Sequence, residues 1–299
     1  MLNVGEIIII GTQGKEIITF DFSHPETNIS SFVLDFVPLA IVHPPTYLNK
    51  IVILGDYNLE LRNIRTTQKI FDYSDTERTL TKYFEEVSNN KKDYIIEESR
   101  EKHTRVNKVS LLGMQTSPAL DILALALSNG DILLLNLKVD KILQRYRIKD
   151  ARPVSMSFSQ TDIPLLAVGD DKGDITVFNL NEENIVSVIK NAHKSIVNYV
   201  EFMKEDLILL SGSYNNNNII MWQYDELEDA KFRCLRKRVG LSAPIKKLGF
   251  YGDEGYHVIA SSLSDQAELK DYFLWNEGFE GNFSLVYLNI SDDNFLEKE

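Results

Sequence analysis

The sequence is poor in the residues that build disulfide frameworks, metal centres and membrane spans. It has one cysteine, Cys234, among 299 residues, which excludes an intrachain disulfide framework and favours a reducing compartment. Its histidines form no H-x-x-x-H or HExxH pair, and a single cysteine cannot supply the spacing of a zinc finger. The longest apolar runs, such as Ile7–Ile10 and Ile122–Leu127, fall far short of the roughly 20 residues that cross a bilayer.

A secretory signal is also missing, because no early stretch combines a basic region, an apolar core and a small-residue cleavage site. We therefore expect a soluble, intracellular protein. The net charge of −12 disfavours nonspecific wrapping of nucleic acid, although a local basic face is compatible with it.

Motifs for catalysis and cofactor binding are missing as well. The stretch GDDKGD at Gly169–Asp174 lacks the Gly-Lys-Ser/Thr ending of a Walker loop, and no G-x-S-x-G elbow occurs. Asp170, Asp171 and Asp174 do not match an EF-hand, so we interpret this stretch as a β-turn. We predict no catalytic residue, no metal site and no cofactor.

A strand–turn–strand phrase recurs along the chain. LLAVGDDKGDITVF at Leu165–Phe178 returns as LILLSGSYNNNNIIMW at Leu207–Trp222. Each copy is an apolar strand, a Gly/Asp/Asn turn and a second apolar strand that ends in an aromatic residue, which is typical of a WD-repeat blade. Residues that end such strands recur at about 40–45-residue intervals, with two longer gaps. They are Phe20, Arg62, Leu135, Phe178, Trp222 and Trp275.

The first strands of the repeats give a second register with an apolar-x-x-apolar-x-apolar pattern. It occurs at Val106/Val109/Leu111, Val197/Val200/Phe202 and Ile245/Leu248/Phe250, and in part at Met156/Phe158. At the start of the chain, Gly5–Phe22 predicts two strands without a first strand before them. Near the end of the chain, we expect a degenerate repeat of the strand–turn–strand phrase, with a long turn before Trp275. A closing strand is expected at Ser284–Ile290.

The central strands are apolar on both faces, as Ile132–Leu137 and Ile219–Trp222 show. A sheet with one wet face should alternate, whereas a sheet packed between two neighbours should not. We predict an all-β fold, a WD-repeat β-propeller of about five to six four-stranded blades. The blades would form one partial propeller domain over residues 1–299, in which the ring of blades can be incomplete. Phe178 and Trp222 would be wedged between adjacent sheets.

The strand pattern fails over residues 74–105, a charged insertion. Leu80, Tyr83, Phe84 and Val87 lie at helical spacing there, which favours a short amphipathic helix. Two interpretations stay open: a mobile surface insertion or a segment that docks a partner.

A polar network is predicted in one blade. In WD blades, a histidine before the first strand can bond through the blade to a turn Asp, a Ser and the Trp. Here His193, Ser211 or Ser213, the turn Asn215–Asn218 and Trp222 occupy these places, with Asn replacing Asp. We interpret the network as structural, not catalytic.

A basic run follows this blade and is the one candidate nucleic-acid feature of the sequence. Its members are Lys231, Arg233, Arg236, Lys237 and Arg238. One interpretation is an exposed edge strand whose charges block aggregation. The other is a contact with RNA phosphates or with a partner.

Five segments share their order and spacing with a known family. They are TYLNKIVIL (Thr46–Leu54), ALDILALALSNGDILLLNL (Ala119–Leu137), PLLAVGDDKGDITVFNL (Pro164–Leu180), NAHKSIV (Asn191–Val197) and LRKRVGLSAPI (Leu235–Ile245). Over about two thirds of the chain they resemble the WD-repeat subunit of the UtpB module of the small-subunit processome, in the later part of its first propeller only. Where that family has Gly-His-Ser, this chain has Gly240, Leu241 and Ser242.

The resemblance implies a nucleolar, noncatalytic scaffold in ribosome biogenesis. Its partners would be other UtpB and processome proteins, with the small nucleolar RNP and pre-rRNA contacted indirectly or through the basic run. It implies no membrane, small-molecule substrate or cofactor. Two alternatives stay open: a WD adaptor in another pathway, such as trafficking or ubiquitin ligation, and a propeller enzyme, for which we find no acid, base or metal ligands.

Overall fold

A computed structural model describes residues 1–23, 29–89, 109–213, 218–227, 231–238, 245–251, 257–263 and 283–289. In these ranges the chain forms 23 strands and one helix, and all paired strands are antiparallel. The chain divides into two compact units, Met1–Arg152 and Pro153–Glu299. Within the described ranges, no helix has the length and apolar character needed to cross a membrane. That the whole chain is one propeller domain stays a prediction.

The unit Met1–Arg152 contains three four-stranded sheets and the helix. The first sheet consists of β1 (Leu2–Val4), β2 (Ile7–Gly11), β3 (Glu16–Asp21) and β4 (Ile29–Val33), and the second of β5 (Ala40–Val42), β6 (Lys50–Leu54), β7 (Leu59–Asn63) and β8 (Lys69–Asp72). Helix α1 (Thr79–Asn89) precedes the third sheet, which consists of β9 (Leu111–Thr116), β10 (Ile122–Leu127), β11 (Asp131–Asn136) and β12 (Lys141–Arg147).

The unit Pro153–Glu299 contains two four-stranded sheets and one of three strands. The fourth sheet consists of β13 (Pro153–Phe158), β14 (Leu165–Asp170), β15 (Ile175–Asn179) and β16 (Asn184–Ile189), and the fifth of β17 (Val197–Phe202), β18 (Ile208–Ser213), β19 (Asn218–Tyr224) and β20 (Phe232–Arg238). The sixth consists of β21 (Ile245–Tyr251), β22 (His257–Leu263) and β23 (Phe283–Asn289).

Each sheet is a meander, in which strands are neighbours in chain order. Strands β10 and β11 form a hairpin around an Asn-Gly turn, in which Gly130 has a φ of 88°. Gly173 has a φ of 97° in the corresponding turn of the fourth sheet. These backbone conformations suit glycine, which has no Cβ to clash.

Successive sheets of a unit pack through apolar side chains. Ile9 of the first sheet and Ile53 of the second share one core cluster, and Val177 of the fourth and Trp222 of the fifth share another. Trp222 is therefore wedged between two sheets, as predicted, and Phe178 is fully buried. Because the fourth and sixth sheets both pack against the fifth, its central strand β19 does not alternate. Strand β11 is also buried along most of its length.

Two hydrogen bonds also join the fourth and fifth sheets. Ser155 Oγ donates to the carbonyl of Val197 at 2.7 Å, and the amide of Phe202 donates to Ser157 Oγ at 3.0 Å. The serines that alternate with apolar residues in β13 thus satisfy polar groups between the sheets.

The predicted amphipathic helix is confirmed at Thr79–Asn89. Leu80, Tyr83 and Val87 are buried in a cluster with apolar residues of the second and third sheets, and Phe84 is partly buried against it. The first part of the charged insertion is thus folded onto its own unit. Residues 90–105 lie outside the described residues, so the choice between a mobile and a partner-docking segment stays open.

Two strand predictions need correction. A short first strand precedes Gly5, since β1 pairs with β2 through Leu2 and Ile9. The first strand of the third sheet begins at Leu111, not at Val106, which lies outside the described residues. Trp275 also lies outside them, and the partner of β22 is β23, which confirms the predicted closing strand.

Candidate functional site in the fifth sheet

The structure brings together three of the four residues predicted for the polar network. His193 lies in the loop between β16 and β17, Ser211 in β18 and Trp222 in β19. His193 Nε2 lies 2.8 Å from Ser211 Oγ, and Trp222 Nε1 donates to the same oxygen at 2.8 Å. All three residues are buried. One serine hydroxyl therefore ties a loop to two central strands.

Ser213 is not part of this arrangement, and most of the Asn turn lies outside the described residues. The Ser213 hydroxyl is buried and has no hydrogen-bond partner among the described residues. Asn218 begins β19, whereas residues 215–217 lie outside the described part of the chain. That the network fixes the blade stays a prediction.

The environment of His193 determines its charge. Burial lowers the pKa of His193 to about 4, and the positive charge of Lys237 acts in the same direction. The imidazole is therefore neutral at neutral pH. Its Nδ1 atom is buried and has no partner among the described residues, so the imidazole is held by the contact of Nε2 with Ser211.

The basic run lies on β20, the outermost strand of the fifth sheet. Arg233 pairs with Gln223 and Arg236 with Met221, which places both arginines on one face of the sheet. Lys237 pairs with Ile220 and lies on the other face, because successive side chains of a strand alternate. Arg233 and Arg236 share a face although they are three residues apart, because a register shift lies between them. The cations are thus split between two faces.

The individual cations of the run differ in their contacts. Lys231 Nζ donates to the carbonyl of Glu226 at 2.5 Å, and Arg233 Nη2 donates to Gln223 Oε1 at 3.0 Å. Arg233 and Lys237 are exposed, and the backbone of Arg238 ends the strand. The run thus lies on an edge strand, as one of its two interpretations predicts. Its contact with RNA phosphates or with a partner stays a prediction.

A second polar site, at Asp131 in the third sheet, was not found from the sequence. The Asp131 carboxylate is fully buried and accepts hydrogen bonds from Tyr83, Asn129, Arg145 and Arg147. Arg145 Nη2 lies 2.7 Å from Oδ2, and Arg147 Nε lies 2.6 Å from Oδ1.

Electrostatics keep the Asp131 carboxylate ionised. Burial alone would raise the pKa of Asp131, but hydrogen bonds from Arg147 and Tyr83 and the charge of Arg145 hold it below its usual value. The pKa of Tyr83 is raised, chiefly by burial and then by its hydrogen bond to Asp131. The sequence signal that could have indicated this site is the pair Arg145 and Arg147 on β12, together with the Gly130-Asp131 turn.

Both sites fasten elements of a sheet together. Within the described residues, no group of three or more His, Cys, Asp or Glu side chains is placed to hold a metal ion. The chemistry that these sites support is hydrogen bonding and charge pairing.

Comparisons with known proteins place this fold in a family. A family model described as the WDR36/Utp21 first beta-propeller matches residues 1–225. The chain is 26% identical over 287 residues to WD repeat-containing protein 36 of Homo sapiens, which covers 95% of this chain and 28% of that protein.

Two fungal relatives are similar at comparable levels. The U3 small nucleolar RNA-associated protein 21 homolog of Schizosaccharomyces pombe is 25% identical over 274 residues, which covers 88% of this chain and 26% of that protein. The U3 small nucleolar RNA-associated protein 21 of Saccharomyces cerevisiae is 24% identical over 250 residues, which covers 80% of this chain and 22% of that protein. The chain spans about a quarter of the length of these curated relatives.

The matched family model covers well over half of the chain, and its propeller fold agrees with the meander sheets of both units. The predicted fold class is thereby confirmed. The resemblance to the WD-repeat subunit of the UtpB module is confirmed as well. The chain belongs to the WDR36/Utp21 first β-propeller family.

Proposed function

We propose that this chain is a noncatalytic scaffold subunit of the small-subunit processome, which supports small-subunit rRNA processing and ribosome biogenesis through protein–protein contacts. The match of residues 1–225 to the WDR36/Utp21 first propeller carries the proposal. Two relatives whose names associate them with the U3 small nucleolar RNA support it. Its place of action would be the nucleolus.

The physical basis of such a scaffold is a stack of rigid sheets that presents loops. Sheets fastened by buried apolar clusters and by the bonds of Ser211 and Asp131 hold their loops in fixed positions. Partners can then bind through several weak contacts without a large cost in ordering. We propose other UtpB and processome proteins as these partners, with the small nucleolar RNP and pre-rRNA reached through them.

The basic run is the proposed place of any direct RNA contact. Arg233 and Lys237 are exposed on an outermost strand of a chain whose net charge is −12. A local cluster of cations can bind phosphates even when the whole surface is acidic.

Co-purification tests the proposed function. The tagged chain should recover the U3 small nucleolar RNA and pre-rRNA from a nucleolar extract, and an unrelated tagged WD propeller should not. Recovery of vesicle-coat or ubiquitin-ligase components without U3 RNA would contradict the proposal and favour an adaptor role.

Charge neutralisation tests the RNA contact. Glutamine in place of Lys231, Arg233, Arg236, Lys237 and Arg238 should weaken binding to a U3 RNA fragment and flatten its salt dependence, by roughly 0.7 in log–log slope per lost phosphate contact. The matched control replaces five other lysines, namely Lys82, Lys138, Lys141, Lys172 and Lys204, which are exposed. Equal losses for the two variants would exclude a local RNA site on β20.

A further inference from the structure

Strand β4 is the outermost strand of the first sheet, and among the described residues its outer edge pairs with no other strand. It pairs with β3 in a continuous register, from Ile29 with Phe20 to Val33 with Glu16. Ile29 is 62% exposed and Val33 is 72% exposed, and Ser31 between them is exposed as well. An open edge of this kind is a template for a further strand.

The backbone groups on the open edge follow from the pairing with β3. The amide of Leu34 donates to the carbonyl of Lys15 at 2.7 Å, so these two residues form a pair of the hydrogen-bonded type. Because such pairs alternate along an antiparallel ladder, the N–H and C=O groups of Ile29, Ser31 and Val33 point away from β3. Each of these residues thus offers one donor and one acceptor to a further strand.

The outermost strands of the other four-stranded sheets are protected against such pairing. In β8, β12, β16 and β20 a register shift leaves one extra residue on the outer strand, which is a β-bulge. The extra residues are Ile70, Leu143, Val186 and Leu235. Strands β8, β12 and β20 also carry charged residues.

Strand β4 has neither kind of protection. Its sequence ISSFV contains no charged residue, and its register with β3 has no shift. Bulges and charges are the devices by which proteins keep edge strands from pairing with other chains. Their absence from β4, beside four outer strands of the same chain that have a bulge, marks this edge as one that is left available.

The two faces of β4 differ in what an added strand would meet. Ile29, Ser31 and Val33 share one face, because side chains alternate along a strand. On the other face, Phe32 lies against Arg62 of the second sheet, whose Cζ is 5.0 Å from the centre of the ring. Cross-strand pairs on the open face favour β-branched or aromatic residues opposite Ile29 and Val33.

The charges near this edge favour a protein strand over a nucleic acid or a second copy. Strand β4 carries no cation that could bind a phosphate, and Lys15, which precedes β3, donates to the carbonyl of Asp35 at 2.9 Å. Two copies of this chain would each bring a net charge of −12, which disfavours self-association.

We propose that β4 binds an extended segment of another protein, which adds a fifth strand to the first sheet. The backbone of this segment would bond to Ile29, Ser31 and Val33, and its alternate side chains would be β-branched or aromatic residues that pack on Ile29 and Val33. The proposal depends on this edge alone, so a partner outside ribosome assembly would support it equally.

Site-specific photo-crosslinking on the full chain identifies the segment. p-Benzoylphenylalanine is placed at position 31 or 33 in the cells that make the protein, and at position 185 as a control. Ile185 is 52% exposed and lies on the bulged outer strand β16. One protein should be crosslinked through one segment from both β4 positions and not from position 185. Crosslinks to RNA, to a second copy of this chain or to nothing would overturn the proposal.

Binding of the synthetic segment to the purified chain tests the backbone contact. Ser31→Pro removes an outward N–H and leaves the bonds to β3 in place, so it should raise the dissociation constant of the peptide roughly tenfold, about the effect of one lost hydrogen bond. Ser31→Thr keeps the N–H and should leave the dissociation constant unchanged. Far-UV circular dichroism should be the same for both variants.

N-methylation of the peptide tests the same contact without changing the protein. One peptide carries methyl groups on the amides of its odd positions and the other on those of its even positions. Because alternate amides of a strand point to opposite edges, only one of the two peptides should lose its affinity for the chain. Equal affinities of the two peptides, or unchanged binding to the Ser31→Pro variant, would contradict an added strand.

Discussion

Tyr83 of helix α1 donates a hydrogen bond to the buried carboxylate of Asp131 in the third sheet, 48 residues further along the chain. The same carboxylate binds Arg145 and Arg147 of β12, and Arg145 also lies over the Tyr83 ring, with Cζ 5.2 Å from its centre. The helix is therefore held to the sheet by a polar contact as well as by Leu80 and Val87.

Asp131→Asn should destabilise the protein more than Tyr83→Phe. The first change leaves Arg145 and Arg147 without a buried counter-charge, and we expect a loss of about 2 kcal/mol or more in the free energy of unfolding, since both guanidinium groups keep some contact with water. The second removes one hydrogen bond and should cost about 1 kcal/mol. Urea unfolding followed by circular dichroism measures both.

Asp206→Asn is the matched control for this pair, because Asp206 is exposed in the turn between β17 and β18. It should change the free energy of unfolding by less than about 0.5 kcal/mol. If Asp131→Asn behaved like the control, the buried charge cluster would not stabilise the unit.

Trp222→Ala should cost about 3–5 kcal/mol, because it empties the space between the fourth and fifth sheets and removes a donor to Ser211. Trp222→Phe keeps most of the packing and should cost less. Phe22→Ala is the control, since Phe22 is largely exposed. Comparable urea midpoints for the Trp222→Ala and Phe22→Ala variants would show that Trp222 is not wedged between sheets.

Stability should fall between about pH 6.5 and pH 4 because of His193. Its pKa is about 4 in the folded protein and 6.5 when unperturbed, so the unfolded state binds more protons in this window. The contribution is fully present above pH 6.5 and is lost as the pH falls through the folded pKa. It amounts to roughly 3 kcal/mol.

The comparison that isolates His193 is the pH profile of His193→Gln. The substitution leaves every other ionisable group in place, so the difference between the two unfolding profiles belongs to this residue. The variant should show a flatter decline below pH 6.5, and an identical slope would place the titration elsewhere.

Gly173→Ala should be strongly destabilising, by about 2 kcal/mol or more. Gly173 has a φ of 97°, and a Cβ there would lie 2.2 Å from the carbonyl oxygen of His193. Gly5→Ala is the matched control, since Gly5 also has a positive φ, of 59°, but an added Cβ meets nothing within 4 Å. Thermal unfolding should separate the two variants, and equal melting temperatures would contradict the close approach at Gly173.

The sequence predicted the sheets better than it predicted the contacts between distant residues. Turn chemistry and double-sided apolar strands located β11, β14, β15, β18 and β19, and spaced apolar residues located β13 and β17, because these signals are local. The first strand of the third sheet was misplaced, since apolar residues at the end of the charged insertion imitate its pattern up to Leu111. The three-residue strand β1 was missed because it is too short for periodicity to show.

The polar sites also show that contacts between distant residues are harder to predict from the sequence than local structure is. The contacts among His193, Ser211 and Trp222 were anticipated because their spacing follows the repeat, whereas Ser213, on the same face of β18, has no described partner. Asp131 was missed because Tyr83 and Arg147 reach it from a helix and an outer strand. No sequence pattern states which separate elements will meet around one buried carboxylate.

Ribosomal RNA levels after depletion test the central claim most directly. When the protein is depleted, small-subunit rRNA should fall relative to large-subunit rRNA and its unprocessed precursor should accumulate, and re-expression of the wild-type protein should restore both. An unchanged ratio with no accumulated precursor would contradict a role in small-subunit rRNA processing.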